Sequence, residues 1–276
     1  MQSFDCNIAK GVPMTQDLIL THEADGVLEL RFNRPEKKNA ITGAMYDTLT
    51  TALQDAVARP AVRVVLIAAE GETFTAGNDI KDFLAMGGGL QDTPPSRFIH
   101  TLVTFQKPLV AAVNGPAIGI GTTLLLHCDL VYASPDASLS VPFVDLGLVP
   151  EAGSSMLLPL RVGYARAAAL LLLGEAMDAE AALDARLVNA IVPGGTLRDH
   201  ARAQSRKLAA KPPGALAATR ALMRGQPSAL LAQMREEGAA FSQALQGAEA
   251  REAFTAFLER RAPNFGAAAV PVTSGR

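Results

Sequence analysis

The sequence predicts an α/β protein that ends in a helical region. Three observations carry that prediction. Short apolar runs such as Pro108 to Val113 have the length of fully buried strands. The stretch Lys107 to Ser134, KPLVAAVNGPAIGIGTTLLLHCDLVYAS, passes from that run through Asn114-Gly115-Pro116 and Gly119-Ile120-Gly121. It then enters Thr122-Thr123 and an apolar helix. Beyond Lys211-Pro212-Pro213-Gly214 the chain offers only alanine-rich amphipathic helices. A strand, a glycine turn and a helix start in succession aim unpaired backbone N–H groups at whatever sits above the turn. Such a place favours an anion, or a carbonyl oxygen that gains charge during a reaction. The alternative is a tight turn with no ligand.

The elements follow in order. Leu18-Ile19-Leu20 and Val27 to Phe32 alternate as strands, with Asp25-Gly26 as the hairpin turn between them. A helix is expected from about Gly43 to Ala58, where Met45, Leu49, Leu53, Ala56 and Val57 share a face, and Arg59-Pro60 stops it. Val62 to Ala68 reads as a strand, followed by the second glycine turn, Phe74 to Ile80. Residues 87–96 read as a flexible loop, and a helix follows through Phe98 to Phe105. After Ser134 come a strand at Ser138 to Val141 and the segment Phe143 to Ser155. There Pro150 and Glu151 suit the first turn of a helix that Pro159 helps to end. Helices are expected at Arg166 to Leu173, Asp178 to Arg186 and Arg198 to Ala210, with a last strand at Leu187 to Val192. The final helices are Ala215 to Met223, Ala229 to Gln246 and Ala248 to Arg261.

Composition narrows the function. A net charge of −2 gives no electrostatic footprint for nucleic acid or an anionic membrane. With 49% hydrophobic and 19% charged residues, part of the surface is expected to lie against other subunits. Cys6 and Cys128 show neither a disulfide framework nor a zinc spacing, and no metal site is expected. Without a basic and apolar leader or a membrane-length apolar run, the expectation is a soluble cytoplasmic protein.

Four motifs, NRPEKKNAI, FTAGNDI, the Lys107 to Ser134 stretch and LGLVPEAGSS, occur in that order. Together they resemble the enoyl-CoA hydratase/isomerase (crotonase) superfamily over about residues 17 to 265. The resemblance implies a right-handed spiral of ββα units over residues 17–210, preceded by an N-terminal extension, 1–16. A helical trimerisation region, 211–276, would follow, giving a homo-oligomer that is a trimer or a dimer of trimers. It also implies an acyl-CoA thioester substrate and no cofactor, coenzyme A being part of the substrate. The thioester oxygen would sit between the backbone N–H groups of Asn78 and Ile120. Lys37 and Lys38 match positions that contact coenzyme A, and the backbones of Ala76 and Ile80 match positions bordering its adenine. Gly119 belongs to the substrate turn, and Asp79 would support the oxyanion turn. Phe257 and Arg260 match positions that reach a coenzyme A held by a neighbouring subunit.

The side chains decide which reaction is expected. Removing a proton α to a thioester puts charge on the thioester oxygen, and two fixed N–H groups stabilise that charge as it develops. Losing one donor of this kind costs roughly 3 to 4 kcal/mol of barrier. The two glutamates of the typical hydratase are replaced here by Thr123 and Phe143, and Phe143 makes that spot drier. The remaining acid is Glu151, in a segment that resembles peroxisomal-type Δ3,Δ2-enoyl-CoA isomerases, where it is the base. One carboxylate suffices to take a proton from C2 and return it at C4. The alternatives are hydration or another thioester reaction such as dehalogenation, and a non-catalytic acyl-CoA-binding scaffold. His100 is expected to line the acyl channel, whose wall runs from Phe83 to Phe98, while His127 and Asp145 read as structural.

Overall fold

The computed structural model describes residues 17–85 and 92–268. The N-terminal extension, the first half (87–91) of the loop expected at 87–96 and the chain end therefore lie outside the described residues. The helix expected from Phe98 already begins at Pro94, inside that expected loop, because prolines suit a first helical turn. The first elements are β1 (Ile19–Ala24), β2 (Val27–Phe32), α1 (Gly43–Ala58), β3 (Val64–Ala69), α2 (Ile80–Ala85) and α3 (Pro94–Thr104). Next come β4 (Leu109–Val113), β5 (Ala117–Ile118), α4 (Ile120–Thr123), β6 (Leu130–Ala133) and β7 (Ser138–Ser140). They are followed by α5 (Ser154–Val162), α6 (Tyr164–Leu172), β8 (Met177–Asp178), α7 (Ala179–Asp184) and β9 (Ala190–Ile191). The chain closes with α8 (Gly194–Ala209), α9 (Pro213–Arg224), α10 (Ser228–Leu245), α11 (Ala248–Glu259) and α12 (Phe265–Ala268).

The main sheet has the order β1-β2-β3-β4-β6-β9. Only the β1–β2 hairpin is antiparallel, joined by the two left-handed residues Asp25 and Gly26. Strand alternation divides the core in two. Leu28, Leu30, Phe32, Val65, Ile67, Leu109, Ala111 and Val113 face the larger cluster with Met45, Leu49 and Leu53 of α1 and Phe98 and Leu102 of α3. Val27, Val64, Leu66, Val110 and Ala112 face the other side, where α8 covers them with Leu197, Ala201 and Ala209. Both faces being covered, β3 and β4 are apolar throughout, as a parallel strand buried on both sides must be.

The second sheet, β5-β7-β8, is small and stands beside the strand ends. It matters because β5 carries the glycine turn into α4. That helix is shorter than the sequence predicts: four residues, then a 3-10 turn over Leu124–His127. Two other differences concern the segment that follows. The helix after Pro150 starts only at Ser154, because Ala152 (φ 59°) and Gly153 (φ 72°) are left-handed and interrupt it. Glu151 is thus a loop residue, and Pro159 lies inside α5 rather than ending it. Among the described residues no helix is long and apolar enough to cross a membrane.

Candidate active site

Segments far apart in sequence are laced together at one end of the main sheet. Asn39, fully buried and left-handed, donates from Nδ2 to Glu70 O (2.9 Å) and Thr73 O (2.7 Å) and accepts from Arg34 N (2.8 Å). This explains the second asparagine of the first motif: no apolar residue could satisfy those carbonyls in a dry place. Lys37 and Lys38 are carried on the exposed turn just before it. Lys38 O accepts from Ala76 N (2.9 Å), and the Thr75 hydroxyl donates to Asn39 O (2.7 Å). Asp79 pairs with Arg34 at 2.7 Å and accepts from Asp82 N, and its carboxylate ties two motifs together. Burial, the largest single influence, raises its pKa, but the Arg34 pairing and the backbone N–H bonds together hold it below its usual range.

The two glycine turns meet side by side. Thr75 N donates to Pro116 O (3.2 Å), and Ile118 N donates back to Thr75 O (3.0 Å). Gly77 has φ 85°, and a Cβ on it would stand 2.8 Å from the Ile118 carbonyl oxygen, so only glycine fits. Ile41 N bonds Gly77 O, and Asp79 N bonds Ile41 O. Asn78 lies between those two residues, and its own N–H therefore faces away from Ile41. Ile120 opens α4, where a first N–H has no helical acceptor. Among the described residues neither N–H has an acceptor in the chain. A Cβ on Gly119 would meet nothing within 4 Å, so open space lies over this turn.

Glu151 is the acid of the site. It and Ala152 line a cleft of about 990 Å³ between α3 and α10, with Ile99 and His100 on one wall and Leu231 and Met234 on the other. The Thr123 hydroxyl, fully buried, donates to Glu151 Oε1 at 2.6 Å. Protein surrounds the carboxylate except on its cleft side. Loss of water therefore raises its pKa to about 8, helped by the nearby Glu237 charge and opposed by the Thr123 bond. The loop itself is pinned from two sides. His127 bonds Ala152 O at 2.9 Å and, with burial driving its pKa down to about 3, stays neutral. Glu237 of α10 accepts from Gly153 N (2.6 Å), Ser155 N (3.0 Å) and the Ser155 hydroxyl.

The remaining sequence candidates are dispersed. Ala76 and Ile80 flank the glycine turn at Gly77, both partly exposed. Phe143 is buried in the larger core cluster and does not line the cleft. Phe257 and Arg260 are exposed at the end of α11, also away from the cleft's lining. Sequence reasoning missed Tyr46, whose hydroxyl donates to Asn78 Oδ1 at 2.6 Å from a fully buried position in α1. It also missed Glu237, although a signal existed: Leu230, Met234, Glu237 and Phe241 share one helical face, and an acid interrupts an otherwise apolar stripe.

The sequence profile described as Enoyl-CoA hydratase/isomerase matches residues 22–268. The chain belongs to that family. It is an acyl-CoA enzyme of the enoyl-CoA hydratase/isomerase superfamily with the crotonase fold. Pseudomonas aeruginosa OdaA shares 47% identity and superposes with a TM-score of 0.86 over 89% of this chain and all (100%) of its own. Rat "Enoyl-CoA delta isomerase 2" is 37% identical over 79% of the chain, which spans 57% of that protein's length. The Escherichia coli "2,3-dehydroadipyl-CoA hydratase" is 35% identical over 87% of the chain and 94% of its own length. Relatives are thus named for both isomerisation and hydration.

Proposed function

We propose that the protein is a Δ3,Δ2-enoyl-CoA isomerase with Glu151 as its single acid–base group. The observation that carries this reading is the pairing of Glu151 with Thr123. Where a second carboxylate would position water, a hydroxyl instead bonds Glu151. Glu151 takes a proton from C2 of a 3-enoyl thioester and delivers it to C4. A carboxyl group poised near neutral pH can both accept and release that proton. The Asn78 and Ile120 N–H groups hold the thioester oxygen and stabilise the charge it gains. Gly119 leaves room for the thioester, and Phe143, buried in the core cluster, offers no second carboxylate.

In this reading the acyl chain runs along Ile99, Leu231 and Met234. Coenzyme A lies over Lys37, Lys38, Ala76 and Ile80, and Phe257 and Arg260 reach the coenzyme A of a neighbouring subunit. No cofactor is needed beyond the coenzyme A of the substrate. Exposed Leu172, Leu173, Leu222 and Met223 support a homo-oligomer, a trimer or a dimer of trimers. The name of the Escherichia coli relative favours hydration as a second reading; Thr123 and Phe143, neither able to act as a carboxylate base, weigh against it. The test is to offer 3-hexenoyl-CoA and 2-hexenoyl-CoA separately. Fast conjugation of the first with negligible water addition to the second is expected. Water addition at a comparable rate would replace isomerisation with hydration.

A further inference from the structure

Thr123 takes no part in the reaction as written above, yet it is fully buried and its hydroxyl is committed to one carboxylate oxygen. We propose that Thr123 is a positioning residue that confines proton transfer to Oε2 of Glu151, so that the proton removed from C2 is the one delivered to C4. The inference rests on the reading of Glu151 as the base.

The argument is geometric. A threonine hydroxyl has one proton to donate, and here it goes to Oε1 at 2.6 Å, a short bond of the charge-assisted kind. An oxygen that accepts such a bond is less basic, and rotation of the carboxylate would break it. The one side-chain hydrogen bond of Glu151 among the described residues goes to Oε1, which leaves Oε2 without one, and Glu151 lines the cleft where an acyl chain would lie. Thr123 sits in a closely buried segment. It is the last residue of α4, and Ile120, Gly121 and Leu124 around it in the chain are buried too. Its backbone N–H is already bonded to Gly119 O at 3.0 Å.

The step balances on this one oxygen. Oε2 forms a bond to the C2 proton while the C2–H electron pair enters the thioester as a dienolate. The electrons then return from the thioester oxygen, the C2–C3 double bond forms, the C3–C4 double bond opens, and C4 takes the proton from Oε2. Glu151 ends ionised, as it began, and nothing is oxidised or reduced. The other groups that act on the carboxylate are Tyr46 on α1 and Glu237 on α10. The cleft walls add Arg97 and His100 on α3, Arg235 on α10, and Asp92. None of these donates a hydrogen bond to Glu151, so Thr123 is the group whose removal frees Oε1.

Two measurements on Thr123→Val and Thr123→Ser test this. In the free enzyme, infrared difference titration follows the protonated carboxyl band that Glu151→Gln removes. Thr123→Val should move its midpoint upward by about one pH unit, and Thr123→Ser should restore it towards wild type. With 3-hexenoyl-CoA carrying deuterium at C2, wild type should retain most of the label at C4 in ordinary water. Thr123→Val should retain severalfold less, because a released carboxyl turns and exchanges its proton. An unmoved midpoint overturns the proposal, and so does equal label retention in Thr123→Val and wild type. If wild type moves no double bond at all, the isomerase reading fails, while the titration still decides whether Thr123 governs Glu151.

Discussion

Burial and bonding pull the Glu151 carboxyl in opposite directions, and burial prevails, leaving a pKa near 8 in place of 4.5. The sign of the consequence follows. Between about pH 4.5 and 8 the folded protein holds a proton that the unfolded chain releases. Stability contributed at this site therefore declines as pH rises through that window, and the full penalty applies above it. Glu151→Gln should accordingly raise the melting temperature at pH 9, with the gain shrinking towards pH 4; calorimetry at both pH values checks this. The reverse order would mean that Glu151 is ionised and favourably paired when folded. Glu151 was legible in the sequence as a candidate, since LVPEAGSS places a lone acid after the two glycine turns. Its bond to Thr123 was not, because 28 residues separate the two and only the turn of α4 brings them together. Tyr46 was hidden for a similar reason: among Met45, Leu49 and Leu53 it reads as one more residue of the buried helix face.

At the scale of elements, the loop 148–153 that carries Glu151 is held from outside itself. Strand and helix positions around the glycine turns follow from local signals, and β1, β2, α1 and β4 lie close to where the sequence predicts them. The start of α5 does not. Proline and an acid suit a first helical turn, but the left-handed pair Ala152-Gly153 delays the helix to Ser154 and leaves Glu151 free to face the cleft. That conformation is held by Glu237, which caps α5 from α10, 84 residues away from Gly153. Glu237→Ala strips the acceptor from two backbone N–H groups and a hydroxyl in a buried place. It should cost roughly 2 to 4 kcal/mol of stability and lower kcat more than it raises KM, since the base loop loses its anchor. Urea unfolding with steady-state kinetics measures both, and unchanged kcat would detach the loop's rigidity from catalysis.

At the scale of the whole molecule, the main sheet separates function from support. One face and the adjoining strand ends carry the glycine turns and the cleft, while α8 seals the other face. There Arg202 reaches the buried Glu29 with two bonds, of 2.7 and 3.2 Å, and Arg31 and Arg198 both pair with Glu70. Arg202→Ala leaves the Glu29 charge, 2% exposed, without its best partner. The expected loss is about 3 kcal/mol of stability with kcat and KM unchanged, read by denaturant unfolding and kinetics; a fall in kcat would show that the far face communicates with the site. The central claim, that Glu151 alone moves the proton, is tested most directly by Glu151→Gln with 3-hexenoyl-CoA. The rate of conjugation should drop at least ~100-fold while binding of a saturated acyl-CoA stays within a few-fold of wild type. Wild-type rates in Glu151→Gln would contradict the account.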